Sequence, residues 1–191
     1  TVTVLSGTIG TAGTDLTVTV DTTATSAAGD AADQTVSTYT SGTAVLTKFV
    51  RNVTNSTANS SGTGARSFTV NGTTANYYTG GVVGETGDVL EYLLLAENGS
   101  ASGSASNCVI DDDLPLDFVT FQADVYQTDK DVLYVNAVGS ESGLTQEADT
   151  DTADLSGSIL TTRVGNGATS TVGGSLGAGE EVMVLYQVTI K

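Results

Sequence analysis

Carboxylates are the most abundant ionisable groups in this chain, and they gather closely in two places. Asp149, Asp151 and Asp154 fall in one short stretch, and Asp111, Asp112 and Asp113 are consecutive. Ca²⁺ takes about six to eight oxygen ligands, which clustered loop carboxylates and carbonyls can supply. Neither cluster follows the EF-hand loop, whose glycine and closing glutamate would be misplaced here. A solvated acidic turn is the competing reading for both. Neighbouring carboxylates repel one another, so a counter-ion should collect there near neutral pH. The expectation for cofactors is therefore none, or Ca²⁺ at these two clusters.

Other chemistry is limited by what the chain lacks. It has no histidine or tryptophan, and Cys108 is its single cysteine. Ser-His-Asp and Cys-His triads are excluded, and zinc loses its commonest ligands. No glycine-rich loop runs into a phosphate-binding lysine. Carboxylates are numerous enough for a glycosidase pair, but such sites usually add aromatic platforms for sugar rings, and tryptophan is missing. The expectation is a protein that is not an enzyme. Cys108 reads as a small buried hydrophobe, with an intermolecular bridge as the alternative.

Asn-x-Ser/Thr sequons occur at Asn52, Asn55, Asn59, Asn71 and Asn98, a mild excess over chance in a chain this rich in Ser and Thr. They are candidate glycosylation sites if the chain is exported. Asparagine is equally at home in turns.

Six basic residues face 22 acidic ones, for a formal charge of −16. Phosphate backbones call for Lys and Arg, so nucleic acid is not an expected partner. No apolar stretch approaches the ~18 residues of a membrane span, so membrane insertion is not expected either. The chain opens on Thr1-Val2-Thr3-Val4 with no methionine, which reads as a mature chain after removal of a signal peptide. The expected location is extracellular, at a cell surface.

The elements that would position these groups are strands. Thr and Val suit a pleated, half-buried surface, and Gly, Asn and Asp supply turns. Val2, Val4 and Ile9 lie in one short β-like stretch. Leu16, Val18 and Val20 alternate with polar residues in a two-residue period. Asp21 to Gln34 reads as a loop or tether. Residues 1–34 are thus expected to be an N-terminal extension, and residues 35–191 a β-sandwich domain. Strands are expected from Val36 through Val53, at Ser67–Val70 and Tyr77–Val83 around an Asn71-Gly72 turn, and at Asp88–Ala96. Others are expected at Asn107–Asp111, Asp117–Ala123, Asp131–Val135, Leu155–Val164 and Glu180–Ile190. The fold class is all-β, an immunoglobulin-like or jelly-roll-like sandwich with an extra N-terminal β segment.

Between Gly87 and Pro115 the chain reads Gly87-Asp88-Val89-Leu90-Glu91-Tyr92, then Ala96-Glu97-Asn98-Gly99-Ser100, then Ala105-Ser106-Asn107-Cys108-Val109-Ile110-Asp111-Asp112-Asp113-Leu114-Pro115. Later come the acidic stretch Glu147–Asp154 and the closing Gly177-Ala178-Gly179-Glu180-Glu181 and Val188-Thr189-Ile190. This pattern resembles the repeat family of prokaryotic surface proteins called domain of unknown function eleven, over roughly Ala44 to Lys191. The resemblance implies an immunoglobulin-like sandwich on the outside of a microbe, without enzymatic activity. That family usually occurs as tandem modules, whereas this chain carries one copy and an unmatched N-terminal segment.

That departure favours a subunit that polymerises. The short, uncharged stretch Thr1–Ile9 could add a strand to a neighbouring copy, or pair within its own domain. In the first case Val2, Val4 and Ile9 are the buried knobs, and the receiving core is built on Leu90, Tyr92, Leu94, Val184, Tyr186 and Val188. The partners would be copies of the same chain in a helical homopolymer, an extracellular filament or surface appendage. The alternative is a monomeric secreted adhesion or binding module for glycan or protein, Ca²⁺-stabilised or displaying loop aromatics such as Tyr77, Tyr78 and Tyr126.

Overall fold

A computed structural model describes residues 16–26, 29–39 and 42–191. Val2, Val4 and Ile9 lie outside the described residues. The first two strands are β1 (Leu16–Ser26) and β2 (Gly29–Tyr39), which pair antiparallel from Leu16 opposite Tyr39 to Ser26 opposite Gly29. Within Asp21 to Gln34, expected as a tether, residues 21–26 and 29–34 are therefore paired backbone, and the expected boundary after residue 34 falls inside β2. This stretch has no apolar alternation to announce it. Its Thr-rich composition tolerates a strand without specifying one.

The remainder is built from β3 (Ala44–Asn52), β4 (Arg66–Val70), β5 (Thr73–Tyr77), β6 (Val89–Asn98), β7 (Ala105–Asp113), β8 (Val119–Phe121) and β9 (Val132–Val135). It continues with β10 (Glu141–Leu144), β11 (Ala153–Ser156), β12 (Ile159–Arg163), β13 (Gly174–Leu176) and β14 (Glu181–Ile190). One sheet runs β10-β9-β14-β6-β3, with β8 also paired to β14. A second runs β11-β12-β7-β13. The β4–β5 hairpin forms a third, small layer.

The larger sheet is covered on both faces, which explains its sequence. Leu94, Ala96, Val182, Val184, Tyr186 and Val188 pack toward the second sheet with Ile110, Leu160 and Leu176. Leu93, Leu95, Leu133, Val135 and Leu185 pack toward β4–β5 with Phe49, Phe68, Val70 and Tyr77. A strand buried on both faces loses its polar alternation, and β6 accordingly buries Leu93, Leu94, Leu95 and Ala96 in succession. Phe68 meets Phe49 and Tyr77 edge to face, with ring centroids 5.2 and 5.8 Å apart. The all-β sandwich read from the pattern is the architecture observed.

Local corrections follow from turns. The hairpin after Val70 reverses at Asn71-Gly72, whose φ values of 49° and 70° suit the tight turn type that Asn-Gly favours. Its return strand is thus Thr73–Tyr77, not Tyr77–Val83. Leu155–Val164 is two strands, because Gly157 at φ 62° reverses the chain and sets Ser156 opposite Ile159. The short strands β10 and β13 carry too few residues to show a period.

Candidate functional site

Among the described residues, the larger sheet ends at β10 on one side and at β3 on the other. In an antiparallel pair, successive residues direct their backbone groups alternately toward the partner strand and away from it. Val50 points away from β6, since its N–H donates to the Tyr78 carbonyl at 2.8 Å and the Tyr78 N–H returns the bond at 2.9 Å. Asn52 also points outward. There a side chain imitates a strand: the Asn52 N–H donates to Asn59 Oδ1 at 2.8 Å, and Asn59 Nδ2 donates to the Asn52 carbonyl at 2.9 Å. At the other end the Gly42 N–H donates to the Ser104 carbonyl.

Between these stops the same alternation turns the N–H and C=O groups of Ala44, Leu46 and Lys48 outward. Among the described residues, nothing bonds them. The opening is five residues long, roughly 17 Å of strand. It is flanked by apolar side chains, with Val45 56% and Leu46 47% exposed. Protected edges often carry a lysine reaching into solvent. Lys48 instead turns back to the second sheet, with Nζ 2.7 Å from Asp112 and 4.4 Å from the Tyr92 ring centroid. The Tyr186 hydroxyl donates to the same carboxylate at 2.6 Å. Burial, reinforced by that carboxylate, pushes the Tyr186 phenol well above its ordinary range.

The core expected to receive an incoming strand is already filled. Leu94, Val184, Tyr186 and Val188 are buried within the chain itself, and Leu90 and Tyr92 pack against them. What is open is the backbone edge, with Val45 and Leu46 beside it.

A second polar constellation lies under β4–β5. Glu91 is 3% exposed. Its Oε2 accepts from Arg51 Nε at 2.7 Å, from Arg51 Nη2 at 2.5 Å and from the Tyr77 hydroxyl at 2.6 Å. Its Oε1 accepts from Gln187 Nε2 at 2.9 Å and from the Tyr126 hydroxyl at 3.2 Å. A cavity of about 180 Å³ adjoins this network. Burial and the facing carboxylate push the Tyr77 and Tyr126 phenols far up. Tyr77 and Tyr126 therefore do not form an exposed aromatic platform with Tyr78; both hydroxyls are engaged inside. Glu91 was legible as the one charge inside an apolar run, where a buried carboxylate demands a cationic partner, but the sequence does not name that partner.

The acidic clusters serve local structure. Asp149 and Asp151 accept backbone N–H bonds from Asp151, Thr145 and Ala153, and Asp154 pairs with Arg163 at 2.8 Å. On β7, Asp111 accepts from Thr161, Asp113 from Ser158 and Asp112 from Lys48. Among the described residues, no group of three or more acidic side chains is arranged to hold a metal ion.

The sequons divide by burial. Asn52 and Asn98 are 2% and 0% exposed. Asn52 Nδ2 donates to the Val83 carbonyl and Asp88, while Asn98 Nδ2 donates to the Gly103 and Leu176 carbonyls. A glycan cannot be carried there in the folded chain. Asn59 is half-buried and engaged with Asn52. Asn55 and Asn71 are exposed. Cys108 is a buried free thiol, raised by that burial.

Comparison with known proteins returns nothing: no family model, no curated protein and no solved structure matches the chain.

Proposed function

We propose that the protein is a structural subunit of an extracellular filament or surface appendage that joins copies of itself by β-strand addition. One observation carries the reading: among the described residues, β3 is plugged at Gly42, Val50 and Asn52 but open at Ala44, Leu46 and Lys48. An edge blocked at both ends and open between them, with apolar side chains alongside, suits an incoming strand of limited length. Strand addition from copy to copy is heterologous, so it propagates as an open fibre and does not close into a dimer. The motif resemblance to microbial surface proteins and the high negative charge fit an exported, highly soluble subunit.

Leu46→Pro tests this. The Leu46 N–H faces outward, so proline removes a donor from the open edge while keeping the ladder to β6. The expected result is a folded monomer by light scattering, beside wild-type fibres under the electron microscope. Fibres of undiminished length from the variant would refute the edge as the site of assembly.

A groove of about 560 Å³ lined by Tyr134, Val138, Leu144 and the Gly165–Ala168 turn favours a second reading, a monomeric secreted module that binds a glycan or peptide. That reading requires a single monomeric species at every concentration.

A further inference from the structure

We infer that the strand donated to the open β3 edge belongs to the hairpin β1–β2 of a second copy; this rests on the strand-addition reading above and names its partner. The hairpin forms a two-stranded sheet of its own, with eleven paired positions and, among the described residues, no third strand on either side. A two-stranded ribbon is marginal in water and becomes stable only when a further strand or a packed layer is added. Among the described residues, the larger sheet presents the converse deficiency at Ala44, Leu46 and Lys48. Only residues 40–43 separate β2 from β3 in the chain, yet the two strands belong to different sheets.

Charge does not oppose this pairing. Residues 1–47 contain Asp15, Asp21, Asp30 and Asp33 and no Lys or Arg. β3 carries Lys48 and Arg51 and no acid, in a chain whose formal charge is −16. Lys48 and Arg51 are paired with Asp112 and Glu91 of their own copy, so the hairpin of one copy meets an edge strand that carries no acid of its own to repel it. Each hairpin strand runs roughly 36 Å, longer than the roughly 17 Å opening, so a β1 or β2 edge covers the whole opening and shields Val45 and Leu46. Two paired strands also resist fraying better than one extended segment.

The experiment compares three proteins: the full chain, a variant lacking residues 1–15, and a variant in which residues 16–39 are replaced by a Gly/Ser tether of equal length. Fibres are scored by electron microscopy, and amide exchange is followed at Ala44, Leu46 and Lys48. The full chain and the 1–15 deletion are expected to polymerise and to slow exchange at these amides by at least about tenfold. The tether variant is expected to stay monomeric with a native near-UV spectrum. Polymer formed by the tether variant overturns the inference, as does loss of polymer in the 1–15 deletion. In the latter case, fibres of the full chain would leave strand addition standing with Thr1–Ile9 as donor. A full chain that never polymerises defeats both. Hairpin amides already protected in a monomer would show that β1–β2 is completed within its own subunit, which also overturns it.

Discussion

Replacing Glu91 by alanine should be among the most damaging single changes in this protein. The carboxylate is almost wholly enclosed, and its two oxygens accept five bonds from Arg51, Tyr77, Tyr126 and Gln187. Alanine removes every acceptor at once. It leaves a guanidinium against the Tyr77 ring, 4.8 Å from its centroid, with no counter-charge, and two phenols and an amide with nothing to receive their hydrogens. Breaking a buried pair from one side costs about 3–5 kcal/mol, and the uncompensated hydroxyls place this case toward the upper end. Glu91→Gln should also cost stability, because it keeps the acceptor shape but removes the counter-charge of the Arg51 guanidinium. The double change Arg51→Leu with Glu91→Leu should recover much of the loss, since it removes charge and counter-charge together. The assay is urea unfolding in the Leu46→Pro background, where assembly does not add to apparent stability. A Glu91→Ala variant within about 1 kcal/mol of its parent would refute the view that this network fastens β4–β5 to the larger sheet.

Three further outcomes are expected. Burial holds Tyr77, Tyr126 and Tyr186 neutral far above their ordinary range; their raised folded-state values mean that the stability they contribute is complete below about pH 10, the unfolded phenol value, and is lost as pH climbs beyond it. An absorbance titration should therefore show these phenols ionising only as the protein unfolds, and early, reversible ionisation of all seven tyrosines would contradict this. Thr162 is buried with its Oγ1 unpartnered among the described residues, so Thr162→Val should raise stability by about 1 kcal/mol in urea unfolding; a loss of that size would reveal a hidden partner. Copies bearing a formal charge of −16 repel one another over a Debye length that falls from about 30 Å at 0.01 M salt to about 8 Å at 0.15 M, so under the proposed strand addition, fibre growth followed by light scattering should accelerate across that range. Growth that slows with salt would indicate an interface dominated by opposite charges.

The sequence on its own determined the class of fold, because that information is local. The alternation through Val182, Val184, Tyr186 and Val188, the Asn71-Gly72 turn and the apolar run of β6 each follow from a periodicity or a φ preference that neighbouring residues set. Missing histidine and a lone cysteine likewise removed whole families of chemistry without any structure. Tertiary structure alone decided how the polar residues are used. Asn52 and Asn98 look like surface sequons, but they are interior hydrogen-bonders because distant strands bring carbonyls to them. Asp112 and Glu91 find Lys48 and Arg51 from across the chain, and Asn59 closes an edge that only sheet order creates. The open stretch of β3 belongs to the same class: a strand's residues say that it will pair, while which of its two sides stays unpaired depends on where the rest of the chain has gone.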